Sequence, residues 1–152
     1  MAIATTLTDY LDKKGIEYSM VEHEHTATSH ETAHAAHIPT HQLAKAVVLK
    51  DEKGFVVSVL PASHALEIDW VNDELKRDLV LASEQEFKTL FKDCEVGAVP
   101  AIGDAYGIDV IWDNDLGYTA DVYIEAGDHE HLFCLDRKSF KKLMSSLPHS
   151  II

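Results

Sequence analysis

The sequence predicts an α+β domain built around a mixed or antiparallel sheet. Short apolar runs read as strands, two of them are joined by the hairpin turn Asp51-Glu52-Lys53-Gly54, and single amphipathic helices lie between the strands. At 152 residues the chain has room for one domain with a real core. It holds no repeat, no low-complexity linker and no break in composition, so residues 1–152 read as a single domain.

The elements follow in order. Thr6 to Lys14 reads as a helix, with Leu7, Tyr10 and Leu11 on one face and Gly15 stopping it. Ile16 to Val21 reads as a short strand. Thr28 and Glu31 have the spacing of a capping box, which starts a helix from Ser29 to His37, just short of Pro39. Leu43 to Lys50 and Phe55 to Leu60 form the hairpin. Ile68 to Asp78 reads as a helix and Leu79 to Ala82 as a strand. Ser83 and Glu86 repeat the capping-box spacing before a helix that ends near Asp93. Gly97 to Gly103, "GAVPAIG", is a loop. Ile108 to Trp112, Asp121 to Glu125 and His131 to Leu135 are strands, and Asp136 caps a last helix from Arg137 to Met144.

Composition excludes several function classes. The formal charge is -13, from 26 acidic against 13 basic residues, and Arg77 and Arg137 are the only arginines. That balance argues against DNA binding, or any broad grip on nucleic acid through phosphates, while leaving room to read one small end of a nucleic acid. No stretch approaches the roughly 18 apolar residues of a membrane span. Met1 to Tyr10 lacks the basic patch and apolar run of a secretory signal. Cys94 and Cys134 form no metal or redox motif and read as reduced, buried thiols of a cytoplasmic protein.

Six of the ten histidines fall between Glu22 and His41. His30, His34, His37 and His41 step by four, three and four, a spacing that forms one stripe on a helix and lets neighbours share a zinc ion. Pro39 interrupts that stripe before His41, and no carboxylate completes an HExxH pattern. The alternative is a polar, partly exposed helix, and no metal site is assigned.

"LAKAVVLK" is more informative. As a strand it puts Lys45 on one face with Val47 and Leu49, and Ala44, Ala46 and Val48 on the other. A lysine among small apolar residues is either an edge residue reaching water or a group aimed into a pocket, where it offers a cation and three donors. In "GAVP" a glycine followed closely by a proline forces an irregular, rigid backbone. Such a loop is a simple turn, or it points amide N–H groups at a developing oxyanion. No Ser-His-Asp or Cys-His arrangement stands out.

"YLDKKGIEYSMVEHEHTAT", "IPTHQLAKAVVLKD", "CEVGAVPAIG" and "YIEAGDHEHLFCL" resemble, in the same order, the YbaK-type aminoacyl-tRNA deacylases, whose domain is also the editing insertion of bacterial prolyl-tRNA synthetases. The resemblance covers residues 7–146. It implies a central mixed, barrel-like sheet surrounded by helices, and hydrolysis of the ester joining a wrong amino acid to the tRNA 3′ end, without a cofactor. The family's lysine falls on Lys45, its glycine loop on Gly97, Ala98, Val99 and Pro100, and its late glycine-plus-basic segment on Gly127 and His129. The segment from His23 to Thr28, with Thr26, is implied to line the amino-acid pocket. Mischarged tRNA is the implied partner, met at its acceptor end or delivered by an aminoacyl-tRNA synthetase. Arg137, Lys138, Lys141 and Lys142 form the only sizeable basic cluster, read either as a solvated helix face or as a tRNA contact. Rival readings are a non-catalytic module holding a small ligand or a protein on the same fold, and a histidine-rich metal-binding protein.

Overall fold

The computed structural model describes residues 2–152; Met1, the first residue of the expected domain, lies outside them. Eight strands form one mixed sheet: β1 (Ser19–Glu22), β2 (Leu43–Asp51), β3 (Gly54–Pro61), β4 (Val80–Leu81), β5 (Asp109–Asp113), β6 (Asp121–Glu125), β7 (His131–Asp136) and β8 (His149–Ser150). Five helices accompany them: α1 (Thr5–Lys13), α2 (Ser29–Ala35), α3 (Ile68–Leu75), α4 (Glu84–Phe87) and α5 (Arg137–Met144). The strand order is β1-β7-β6-β2-β3-β5-β8, with β4 beside β2. The sheet is mixed as expected, with β2–β6, β3–β5 and β5–β8 parallel and the other pairs antiparallel. It is not closed: the short strands β1 and β8 end it at two separate edges.

Local chemistry starts the helices where the sequence predicts. Thr28 and Glu31 form a full capping box, as do Ser83 and Glu86, and the Asp136 side chain accepts from the Ser139 amide at 2.7 Å. Helix ends differ more. α2 stops at Ala35 because His37 turns left-handed at φ 57°, and α3 stops at Leu75 because Lys76 does the same at φ 56°. α4 ends at Phe87, well short of Asp93, where the chain gives up regular helix to pack Phe87, Phe91 and Tyr106 edge to face.

The main core lies on the face of the sheet that carries Ala44, Val48, Val57, Val59, Ile124 and Phe133, and α1 and α5 cover it with Leu7, Leu11, Phe140 and Leu143. A second cluster, with Leu49, Val56, Val71 and Ile111, sits under α3. A third, with Ala33, Leu43, Ala62 and Leu132, sits under α2. Lys45 projects on the β2 face that carries Leu43 and Leu49, between these two smaller clusters.

The edge of β2 away from β3 is split. Leu43 and Ala44 pair with β6, while Leu49 and Lys50 pair with β4. Because the Leu43 carbonyl bonds Ala62, alternation along the antiparallel ladder turns the peptide groups of Ala44, Ala46 and Val48 towards this split edge. The Ala82 amide takes the Val48 carbonyl, and Ala46 is left without a strand partner there. Among the described residues no helix is long and apolar enough to cross a membrane.

Candidate functional site

A cleft opens where the β2 edge splits. It holds about 440 Å³ of empty space, counting its open mouth, and is lined by Thr28, Ser29 and Thr32 of α2 and its cap, Ala44 to Ala46, Gly97, Val99, Glu125 and His129, among others. Lys45 and Gly97, 52 positions apart, therefore share one cavity wall to wall. The Lys45 ammonium donates to the carbonyl oxygen of His64, in the turn after β3, at 2.5 Å. Burial lowers its proton affinity below the ordinary lysine value. No carboxylate pairs with it among the described residues, so two of its three donors stay free for a ligand.

The glycine loop contributes Gly97 and Val99 to the same lining. Gly97 has φ +84°, a left-handed conformation that glycine adopts without cost. The three amides of the loop are not equivalent. The Ala98 amide is spent on the Glu95 carbonyl at 3.0 Å, and Ala98 is buried. The amides of Gly97 and Val99 donate to no described residue. The loop is tied to the late turn, since the Glu95 amide donates to the Gly127 carbonyl at 2.7 Å and His129 Nε2 meets the Val96 carbonyl at 2.9 Å. A carbonyl only accepts, so that ring nitrogen carries the proton and donates.

The remaining sequence-predicted residues divide into two groups. Thr28 and His129 line the cleft. Pro100, Gly127, His23 and Thr26 stand behind its wall rather than on it. Gly127 is packed against Ala4 and Cys94, where an added Cβ would lie 3.0 Å from each. His23 is buried, with its amide on the Glu130 carbonyl at 2.8 Å and Nδ1 on the Glu24 carbonyl at 2.6 Å. The Thr26 hydroxyl bonds that of Thr32 at 2.6 Å, and its amide meets the His129 carbonyl at 3.3 Å. These bonds zip residues 23–26 to the turn at 129–130, which holds α2 against the cleft.

His30, His34, His37 and His41 are exposed, and they follow one another through α2, a left-handed residue and a 3-10 turn rather than along one helix face. The ligand atoms that converge among the described residues are instead those of His64, Asp113 and Asp115. Cys94 and Cys134 are free and half-buried. Burial pushes the Cys94 thiol up to about 11, which disfavours the nucleophilic thiolate.

Ser29, Thr32 and Glu125 are cleft residues that the sequence reading does not single out. Glu125 ends β6, and its Oε2 accepts from the amides of Gly127 at 2.8 Å, Asp128 at 3.2 Å and His129 at 3.2 Å. Burial raises its proton affinity, while those three amides and His129 pull it back. The run Glu125-Ala126-Gly127-Asp128 reads in sequence only as acids around a glycine; a carboxylate two to four residues ahead of a glycine turn was the available signal. Asp128 also has a structural job, since it is fully buried and bonds the Glu130 and His131 amides and the His131 ring.

Comparison with known proteins bears on this geometry. No curated protein matches the chain. Solved structures share its fold. A scaffold from epitope backbone grafting by computational design superimposes with a TM-score of 0.82 at 20% identity, covering 98% of this chain and 95% of that one. A structure provisionally assigned as a trans-editing enzyme for prolyl tRNA synthetase gives 0.82 at 23% identity, covering 97% and 94%. A hypothetical protein gives 0.84 at 18% identity, covering 96% and 97%. The family model described as the aminoacyl-tRNA editing domain matches residues 23–143, a span that holds β2, the glycine loop, Glu125 and His129. The chain belongs to the aminoacyl-tRNA editing domain family.

Proposed function

We propose that this protein is a free-standing trans-editing hydrolase that cleaves the ester between a wrong amino acid and the 3′ end of tRNA. The observation that carries the reading is a partly desolvated ammonium, Lys45, lining one cleft of an editing-domain chain together with Gly97 and Val99, whose amides are unspent. The 3′ end is a small target, which suits a chain whose net charge of -13 opposes a broad grip on the tRNA body.

In this mechanism the free donors of Lys45 hold ribose or phosphate oxygens of the terminal adenosine, or the ester carbonyl. Water attacks the carbonyl carbon. The oxygen that becomes negative in the tetrahedral intermediate takes hydrogen bonds from the Gly97 and Val99 amides. The carbon–oxygen ester bond then breaks, and the proton lost by the water ends on the departing ribose oxygen, releasing free amino acid and uncharged tRNA. Ser29 lines the cleft, but among the described residues its hydroxyl bonds no histidine or carboxylate that would activate it, so the substrate's neighbouring ribose hydroxyl positions the water. Thr28, Ser29 and Thr32 wall the side-chain end of the cleft and set which amino acids fit.

The test is a panel of aminoacyl-tRNAs carrying alanine, serine, cysteine and proline on cognate and non-cognate tRNAs, with release of free amino acid as the readout. Hydrolysis of a non-cognate pair, lost in Lys45→Ala, is expected. Thermal stabilisation by an aminoacyl analogue with no turnover of any pair would instead make the protein a binding module.

A further inference from the structure

The cleft holds an ammonium and a carboxyl group that do not pair with each other. Lys45 is satisfied by a neutral carbonyl, and Glu125 by three neutral amides, all of them on Oε2. Oε1 of Glu125 bonds no described residue, and it is not among the buried polar atoms sealed without a partner, so it keeps access to solvent on a residue that lines the cleft. No lysine, arginine or protonated histidine forms an ion pair with it among the described residues. Buried carboxylates are ordinarily paired, and a rigidly held one with a vacant oxygen facing a cavity is fitted to receive a cation from the ligand.

An aminoacyl ester brings such a cation. Its α-ammonium lies next to the ester carbonyl, and it carries three N–H donors. We propose that Glu125 Oε1 receives the α-ammonium of the bound aminoacyl group, so that the cleft takes esters with a free α-amine and rejects N-blocked ones. Three amides clamp Oε2 from the turn at 127–129, so Oε1 has a fixed direction rather than a flexible reach. Glu125 thus orients the acyl group from its amine end while Lys45 and the loop amides hold its oxygen end. This assignment rests on the hydrolase reading above.

The experiment compares the best substrate of the panel with its N-acetylated form, on wild type and on Glu125→Gln. Glutamine keeps an oxygen for the three amides and presents an NH₂ group to the cleft in place of Oε1. Wild type is expected to cleave the N-acetylated ester about ten- to a hundredfold less efficiently in kcat/KM, the range of one charge-assisted hydrogen bond. Glu125→Gln should lose a similar factor on the free-amine ester and nothing on the acetylated one, so the discrimination collapses. Equal cleavage of the two esters by wild type, or an equal loss on both in the variant, overturns the proposal. Calorimetry with a 3′-aminoacylamino-3′-deoxyadenosine, free or N-acetylated, reads the same discrimination without turnover. A protein that hydrolyses nothing yet binds only the free-amine analogue sinks the hydrolase reading and keeps the ammonium site. Hydrolysis with equal binding of both analogues does the reverse.

Discussion

The Lys45 ammonium donates to the His64 carbonyl at 2.5 Å, a bond that ties the start of β2 to the turn after β3. It stabilises the ammonium's direction without cancelling its charge. The lysine is held in a partly desolvated place where its charged form is disfavoured. Lys45→Met keeps the apolar stem and removes all three donors. It is expected to lower deacylation by about a hundredfold or more, with a thermal midpoint equal to or above wild type because a desolvated charge is gone. Measuring both in parallel decides the role: a midpoint that falls together with activity would make Lys45 a structural residue.

Gly97→Ala tests the loop. An added Cβ would sit 3.0 Å from Glu84 Oε1 and 3.6 Å from His129 Cε1, at a φ of +84°. The Glu84 carboxylate can swing away, but the backbone strain stays, at about 1–2 kcal/mol. Relief of that strain re-aims the Gly97 and Val99 amides, and activity should fall at least about tenfold. Gly107→Ala is the control. Its φ is +74° and no described atom lies within 4 Å of the added carbon, so it carries similar strain outside the cleft lining. Its expected loss is in denaturation midpoint alone, and equal activity loss in both variants would dissociate the loop from catalysis.

What the sequence made legible is what a few neighbouring residues decide. The Thr28–Glu31 and Ser83–Glu86 boxes, the Asp136 cap and the β2–β3 hairpin each close within about four residues, and each stands where the pattern puts it. β8 was invisible because two residues become a strand only by lying beside Trp112 and Asp113. α4 was overestimated because aromatic packing on Tyr106, not helix propensity, governs residues 88–93. Lys45 was legible as an anomaly, but the choice between water and pocket was made by α2 and the glycine loop, whose approach to β2 no local pattern around Lys45 encodes. Glu125 was missed for the same reason: its partners are local, but the cleft it faces is assembled from four separate segments.

Gly103 is tight for a different reason. An added Cβ there would meet Val57 Cγ2 at 2.8 Å and Val110 Cγ2 at 3.1 Å, both on buried strands of the main core. β-branched side chains have little freedom to turn aside. Gly103→Ala should therefore destabilise by about 1–3 kcal/mol through overpacking, read as a lower urea midpoint at unchanged slope. Activity below the unfolding transition should match wild type, because the strain falls on β3 and β5 rather than on the cleft wall. An unchanged midpoint would mean that the β3–β5 layer yields more easily than its packing implies.

The Asp128–His131 pair gives stability a defined pH profile. Asp128 is fully buried; its Oδ1 accepts from the Glu130 and His131 amides at 3.0 and 2.9 Å, and its Oδ2 meets His131 Nδ1 at 2.6 Å. Burial alone would lower the proton affinity of His131, but the Asp128 bond and charge, with Glu22 beside the other ring nitrogen, raise it above the usual 6.5. A raised histidine stabilises the fold fully below its unfolded value and loses that contribution as pH climbs through the higher folded value. For Asp128 burial opposes ionisation, but the two amides and the His131 ring outweigh it and hold the carboxyl below 3.8, so its contribution is lost only as pH falls through that lower value. Stability from this pair should therefore be greatest between those limits. From pH 6 to pH 9 the wild-type thermal midpoint should drop as the raised His131 loses its proton. His131→Asn keeps a donor for Asp128 and cannot titrate, so its profile over the same interval should be flatter by that amount. A parallel drop in the variant would assign the pH dependence to other groups and leave the pair as a neutral hydrogen bond.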